Sequence, residues 1–385
     1  MTALPFPHLG GISSYLFDEL KYFCKKGHRI ILVYPSSNMT LEKDFGHKEV
    51  RLIHLRSLDT DIEKITEKVL RVLLLKRLMS EEKVSMLHTH DFLSAFISIL
   101  AGYSKKTILH THGVLSKDKL QKTWAECPSG KTTFRMLMTY LIEFFLETLT
   151  FNLVRRIICI NADVQQDAMR RTLSGKKILV LLNGVDVLRF KPRPEKRKEQ
   201  RYKLRIPEHV IVCLYLGRMV PTHGPLLLSK AIPTVNEKTG GVIFLFVGEG
   251  VQKERIVEDV RDQRLSNVFF PSVTRPEDIY SASDIFLDNL SNIVKGHGIS
   301  ILEAMASGVP VITGRDEIKE KAFVEGEEIL FAEKDDPKDI AEKIVSLVFD
   351  SKKREELSLR GRKRVVADFS VEKHMQILEK ILLSE

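Results

Sequence analysis

The apolar positions of this chain follow two alternating rhythms. Short runs at 30–34, 51–55, 84–88, 106–110, 156–161 and 177–182, each holding an apolar segment, predict strands. Stretches at 12–26, 63–79 and 92–101 instead repeat apolar residues every three or four positions, the period of a helix with one buried face. The alternation resumes in the second half. Strands are predicted at 210–216, 242–247, 268–270, 285–287 and 309–313, with a helix from 226 and charged helices over 337–366 and 371–383. Strands alternating with helices imply parallel sheets, helices on both faces, and a functional edge where the strands end.

Residues 191–200 are charged, broken by prolines and without apolar period, and mark the boundary between two doubly wound α/β domains. The predicted division is a first domain over 1–190, a second over 191–368, and a C-terminal helix over 369–385 that crosses back to the first. Gly10-Gly11 opens the first helix, a turn that ordinarily follows a buried strand, yet residues 1–9 leave little room for one. The first strand is therefore expected to be truncated, with native chain extending upstream of Met1.

Composition narrows the class. At 385 residues and 43% hydrophobic content, both domains can hold a proper core. The formal charge of +9 comes from Lys and Arg interspersed with acids, which suits anionic ligands or an anionic membrane surface. No nucleic-acid reader motif or aromatic–basic platform accompanies it. Cys24, Cys127, Cys159 and Cys213 lack Cys-x-x-Cys spacing and read as reduced, structural residues of a cytoplasmic protein. The apolar stretch 134–151 carries Glu143 and Glu147 and is followed by Arg155 and Arg156, so it fits a packed or interfacial helix better than a membrane span. With the basic helix at 63–79, it suits peripheral docking on the inner face of a membrane.

Polar residues gather at the strand ends. His88-Thr89-His90-Asp91 and His110-Thr111-His112-Gly113 end two strands of the first half; each histidine serves either as a satisfied structural residue or as a site residue. Asn183-Gly184-Val185-Asp186, Gly217-Arg218 and Gly248-Glu249-Gly250 end others. From Lys295 to Gly308 a glycine-rich turn enters an apolar helix bearing one carboxylate, Glu303, a geometry that suits a phosphate or diphosphate. The turns lack the Gly-x-Gly-x-x-Gly of nicotinamide enzymes.

Taken in order, Gly10-Gly11, Thr111-His112-Gly113, Asn183-Gly184-Val185-Asp186, Gly217-Arg218, Gly248-Glu249-Gly250, Ser283-Asp284 and Glu303-Ala304-Met305-Ala306-Ser307-Gly308-Val309-Pro310 run through nearly the whole chain. With them the chain resembles the retaining glycosyltransferases of family 4. That resemblance implies the GT-B fold, two Rossmann-like domains facing a central cleft. It implies transfer of a sugar from a UDP-, GDP- or ADP-linked donor to a hydroxyl acceptor, lipid-linked or saccharide, with retention at the anomeric carbon. No cofactor and no metal are expected. Arg218 would meet the diphosphate charge, and the backbone from Gly298 through Ile299, Ser300 and Ile301 would supply N–H donors. Gly10 and Gly11 would approach the same group, Glu303 would bind the ribose, and His112 would lie near the reacting sugar. Asn183, Gly184 and Glu249 would complete the donor site.

Two positions depart from the family pattern. Lys295 stands where the family has Glu, and His223 where it has Lys. Three readings are open: Lys295 supplies the cation missing at 223 or pairs with an acidic donor sugar; a protonated His223 does part of the Lys work; or the protein is catalytically degenerate and serves as a nucleotide-sugar-binding or scaffolding partner.

Overall fold

A computed structural model describes residues 11–35, 50–55, 61–112, 134–273, 275–288, 290–291 and 298–384. Gly10, Cys127 and Lys295 lie outside the described residues, as does the start of the chain where the truncated strand is expected. The chain divides into two compact units, Met1–Leu182 with Met375–Glu385, and Asn183–His374.

In the first unit β1 (Ile30–Pro35) and β2 (Val50–Leu55) pair in parallel, and β3 (Leu87–Thr89), β4 (Thr107–Thr111), β5 (Arg156–Cys159) and β6 (Ile178–Val180) form a parallel sheet in that order. Leu109, Ile157 and Cys159 are wholly buried against Ala95 and Phe151 from the flanking helices, which is why these strands carry apolar centres. The strand expected at 84–88 begins only at Leu87, because Val84 packs with Leu75 and Met79 of the preceding helix and its carbonyl accepts a hydrogen bond from Lys106 (3.0 Å). Burial raises the Cys159 thiol to about 12, and the described cysteines, Cys24, Cys159 and Cys213, are buried.

The helix Val371–Leu383 ends within this unit. Glu379 accepts from the Tyr22 hydroxyl (2.8 Å) and pairs with His28 (3.0 Å), and Arg156 donates to the carbonyls of Ile381 (2.7 Å) and Ser384 (2.9 Å). Among the described residues no helix is long and apolar enough to cross a membrane. The helix Phe134–Leu153 nevertheless exposes Leu137, Leu141, Ile142 and Phe145, the last 65% accessible, at helical spacing along one side.

The second unit is one parallel sheet of β7 (Ile211–Leu216), β8 (Val242–Val247), β9 (Val268–Phe269), β10 (Ile285–Asp288), β11 (Val311–Gly314) and β12 (Leu330–Ala332), in the order β12-β11-β10-β7-β8-β9. The chain leaves β7 toward β8 and β9, then returns to its other side as β10. That reversal makes the carboxyl ends of β7 and β10 a topological switch point, where doubly wound folds bind ligands.

Residues 191–200, without apolar period, enter the helix Pro194–Lys203. Its anchor is polar. Arg201 is wholly buried and donates to Asp284 (2.5 Å) and to the carbonyls of Ala282, Pro207, Glu208 and Val210, a satisfied cation that hydrophobic patterning cannot register. The stretch 337–366 resolves into two helices, Pro337–Phe349 and Ser351–Asp368, divided at Asp350, whose side chain caps the second by accepting from the Lys353 amide (2.8 Å).

Candidate active site

The ends of β7 and β8 are locked together through the main chain. The Gly217 amide donates to the Val247 carbonyl (3.0 Å), the Met219 amide to the Glu249 carbonyl (2.8 Å), and the Gln252 amide to the Met219 carbonyl (2.9 Å). This approach requires glycine. Gly248 has φ +140° and a Cβ there would lie 1.9 Å from the Gly217 carbonyl oxygen; at Gly250, φ +155°, it would lie 2.3 Å from the Met219 oxygen. Arg218 sits between these clamps, its side chain exposed and its carbonyl accepting the hydroxyl of the wholly buried Tyr215 (2.7 Å). Burial, and then the Asp288 charge, hold the Tyr215 phenol well above its usual range, so it remains a donor. Replacing Gly248 by alanine is expected to lower unfolding free energy by about 2–4 kcal/mol, measured by urea denaturation, and to weaken anion binding beside Arg218. An unchanged midpoint would contradict the clamp.

On the other side of the switch point, Asp288 ends β10 with only 2% of its side chain exposed. Its Oδ1 lies 3.3 Å from His223 Nδ1, and Oδ2 accepts from the Ser300 hydroxyl. The carboxylate thus orients the imidazole, leaving Nε2 on the opposite edge of the ring. Gly298 is the N-cap of the helix Ile299–Ala306; a Cβ there would come within 3.4 Å of Ser300 Oγ and 3.7 Å of Asp288 Oδ2. The first amides of this helix lack intrahelical acceptors, so their N–H groups are suited to an anion. Ile301 is wholly buried and anchors the helix, and Ile299 and Ser300 are half-buried.

Glu303, also half-buried, accepts from the hydroxyl of wholly buried Tyr280 (3.1 Å), which lies 3.2 Å from the Ser300 carbonyl. Burial, reinforced by Glu303, pushes the Tyr280 phenol well up and keeps its proton available to position the carboxylate. Behind β11, Lys319 is wholly buried against Asp316 (3.1 Å) and the Thr313 hydroxyl (3.0 Å); burial draws its ammonium down to about 8 despite Asp316.

Other expected site residues serve different ends. Gly184 packs: a Cβ would lie 2.7 Å from His374 Cβ and 3.0 Å from Val371 Cα. Beside it, Val185 bridges Ser370, and Asn183 is half-buried. Glu249 is solvent-facing, 82% exposed, and paired with Lys253 (2.6 Å). Gly11 opens the first helix of the other unit.

In that first unit His112 belongs to a cluster. His88 and His90 end β3, and His110 and His112 end β4; alternate residues of neighbouring strands share a face. Tyr15 and Glu19, one turn apart on the helix Gly11–Lys25, cover them. Glu19 Oε1 lies 2.7 Å from His88 Nδ1 and Oε2 3.2 Å from His90 Nε2; His90 Nδ1 is 3.2 Å from His112 Nε2, and the Tyr15 hydroxyl 3.4 Å from His110 Nδ1. The His110 and His112 rings stack with centroids 4.7 Å apart. Burial alone would raise Glu19, but His88 and His90 more than offset it and hold the carboxyl well below its usual range. Burial draws His90 down to about 4 against the pull of Glu19.

Sequence reasoning missed Asp288, Tyr280 and Glu19. Asp288 left a signal, a single acid closing the apolar run of β10; Tyr280 and Glu19 left none locally.

Comparison with known proteins adds an independent line. The family model "Glycosyltransferase Family 4" matches residues 9–189 and "Glycosyl transferases group 1" matches 196–364. Spore coat protein SA of Bacillus subtilis (strain 168) is 27% identical over 236 residues, 56% of this chain and 61% of that protein. The phosphatidylinositol N-acetylglucosaminyltransferase GPI3 subunit of Saccharomyces cerevisiae (strain YJM789) is 22% identical over 325 residues, 80% of this chain and 65% of that protein. The chain therefore spans slightly less than two thirds of either relative. Anabaena Alr3699/HepE, solved in complex with UDP and glucose, superposes with a TM-score of 0.79 at 15% identity, covering 100% of this chain and 99% of that one.

Proposed function

The chain belongs to the glycosyltransferases and has the GT-B fold, and from that premise we propose that it moves a sugar from a nucleotide-diphosphate donor to a hydroxyl acceptor with retention of anomeric configuration. The observation that carries this reading is the convergence of Arg218, His223, Gly298 and Ser300 around the switch point of β7 and β10, with buried Asp288 joining the last three. The leaving nucleotide diphosphate gains negative charge as the glycosidic bond breaks. Arg218 and the helix amides following Gly298 meet that charge in fixed positions, which lowers the barrier without reorganisation. Glu303, steadied by Tyr280, accepts hydrogen bonds from the ribose hydroxyls. By its Thr111-His112-Gly113 motif alone, we assign His112 to the reacting sugar.

Uridine as the donor base is supported by the complex of the Anabaena neighbour, and a lipid-linked acceptor by the name of the yeast relative. The exposed apolar side of the helix Phe134–Leu153 fits peripheral contact with the membrane that would present such an acceptor. The test is a screen of UDP-, GDP- and ADP-sugars by thermal shift, followed by product mass with lipid and saccharide acceptors. Stabilisation by none of the donors, together with no donor hydrolysis, defeats the proposal.

His223 is held by a buried carboxylate, Asp288, which favours a donor site with His223 in place over a degenerate one. Restoring the family residue with Lys295→Glu is then expected to reduce transfer, measured as initial rate. A degenerate site would be indifferent or partly revived.

A further inference from the structure

We propose that His88, His90 and His110 bind one divalent transition-metal ion of the zinc class, with Glu19 holding two of the imidazoles from behind. One ligand nitrogen from each histidine lies within 4.8 Å of the others. A tetrahedral ion with metal–nitrogen bonds near 2.1 Å sets its donors about 3.4 Å apart, so the site closes on it by small side-chain rotations. The backbone already provides the convergence. β3 and β4 pair in parallel with His88 opposite Ile108, which brings His90 level with His110 on the same face as His88.

Tautomers follow from the surroundings. Glu19 at 2.7 Å makes His88 Nδ1 the protonated nitrogen and Nε2 the one carrying the lone pair. The Tyr15 hydroxyl lies 3.4 Å from Nδ1 of His110, and when that nitrogen donates to it, Nε2 carries the lone pair. His90 has Nε2 on the second Glu19 oxygen, 3.2 Å away, and Nδ1 toward His112. A carboxylate behind metal-ligating imidazoles fixes ring orientation and raises ligand basicity. A three-histidine set leaves the fourth position of a tetrahedral ion to water. Charge favours the same site, because the Glu19 carboxylate offsets half of a dication's charge among neutral imidazoles. Imidazole donors favour zinc, copper, nickel or cobalt over magnesium or calcium. The ion is not asked to touch the donor diphosphate. It ties the ends of two strands, and through Glu19 the helix Gly11–Lys25, into one rigid element, so this inference stands or falls apart from the transfer reaction.

The test uses the full chain without a polyhistidine tag, stripped with chelator and dialysed against Zn(II) or Co(II). One ion per chain by elemental analysis, the intense visible bands of four-coordinate Co(II), and a Zn(II)-dependent rise in Tm are expected. Glu19→Gln is expected to weaken binding about 10–100-fold, and His88→Gln or His110→Gln to remove it. Retention no greater in the parent than in His88→Gln, binding undiminished by Glu19→Gln, or only the faint bands of six-coordinate Co(II) would overturn the site. If a variant fails to fold by circular dichroism, the Co(II) spectrum of the parent decides alone.

Discussion

Alanine at position 218 is expected to lower kcat/KM for sugar transfer by about 10²–10³-fold, the loss seen when one fixed stabiliser of transition-state charge is removed. Stability should barely move. The Arg218 side chain is exposed, and its backbone is held by Tyr215 and by main-chain contacts from the β8 turn, none of which depends on the guanidinium. Arg218→Lys should recover part of the rate, because an ammonium restores the charge and loses the planar fork. Kinetics equal to the parent, with nucleotide-sugar binding intact, would remove Arg218 from the mechanism. A large drop in Tm would mean that its role had been misjudged as chemical.

The second large effect is expected on binding rather than turnover. Glu303→Ala should weaken UDP affinity about 10–100-fold by calorimetry, since hydrogen bonds to a charged acceptor are worth roughly 1.5–3 kcal/mol. Tyr280→Phe should give a smaller loss in the same direction, because the carboxylate remains but loses the hydroxyl, 3.1 Å away, that aims it. A Tyr280→Phe loss equal to that of Glu303→Ala would indicate collapse of the helix Ile299–Ala306 instead of a missing ribose contact. UDP affinity unchanged by Glu303→Ala would refute the assignment.

Most strands and the glycine turns were legible because each leaves a local mark: a short apolar segment, or a glycine where chains must touch. Gly248 and Gly250 are of this kind, and their reason is visible in two sub-van-der-Waals Cβ positions. What escaped was interaction at a distance. Asp288 acquires meaning only beside His223 and Ser300, and Tyr280 only beside Glu303, 23 positions later. The helix Pro194–Lys203 was hidden for another reason, since its buried anchor is an arginine and polar burial has no periodic signature. Gly184 shows the opposite limit: its motif was plain, but its tight contact with Val371 and His374 is a packing demand that a motif does not express.

The grouping of Met375–Glu385 with the first unit bears on the order of events during synthesis. The residues that contribute Glu379 to Tyr22 and His28, and the Ile381 and Ser384 carbonyls to Arg156, leave the ribosome only after Asn183–His374 has been made. Domains generally fold as they emerge. Here the second unit can complete itself first, while the unit begun earlier waits for its closing segment. The nascent first unit therefore passes through a long interval without that segment, and it is there that chaperones would be most needed.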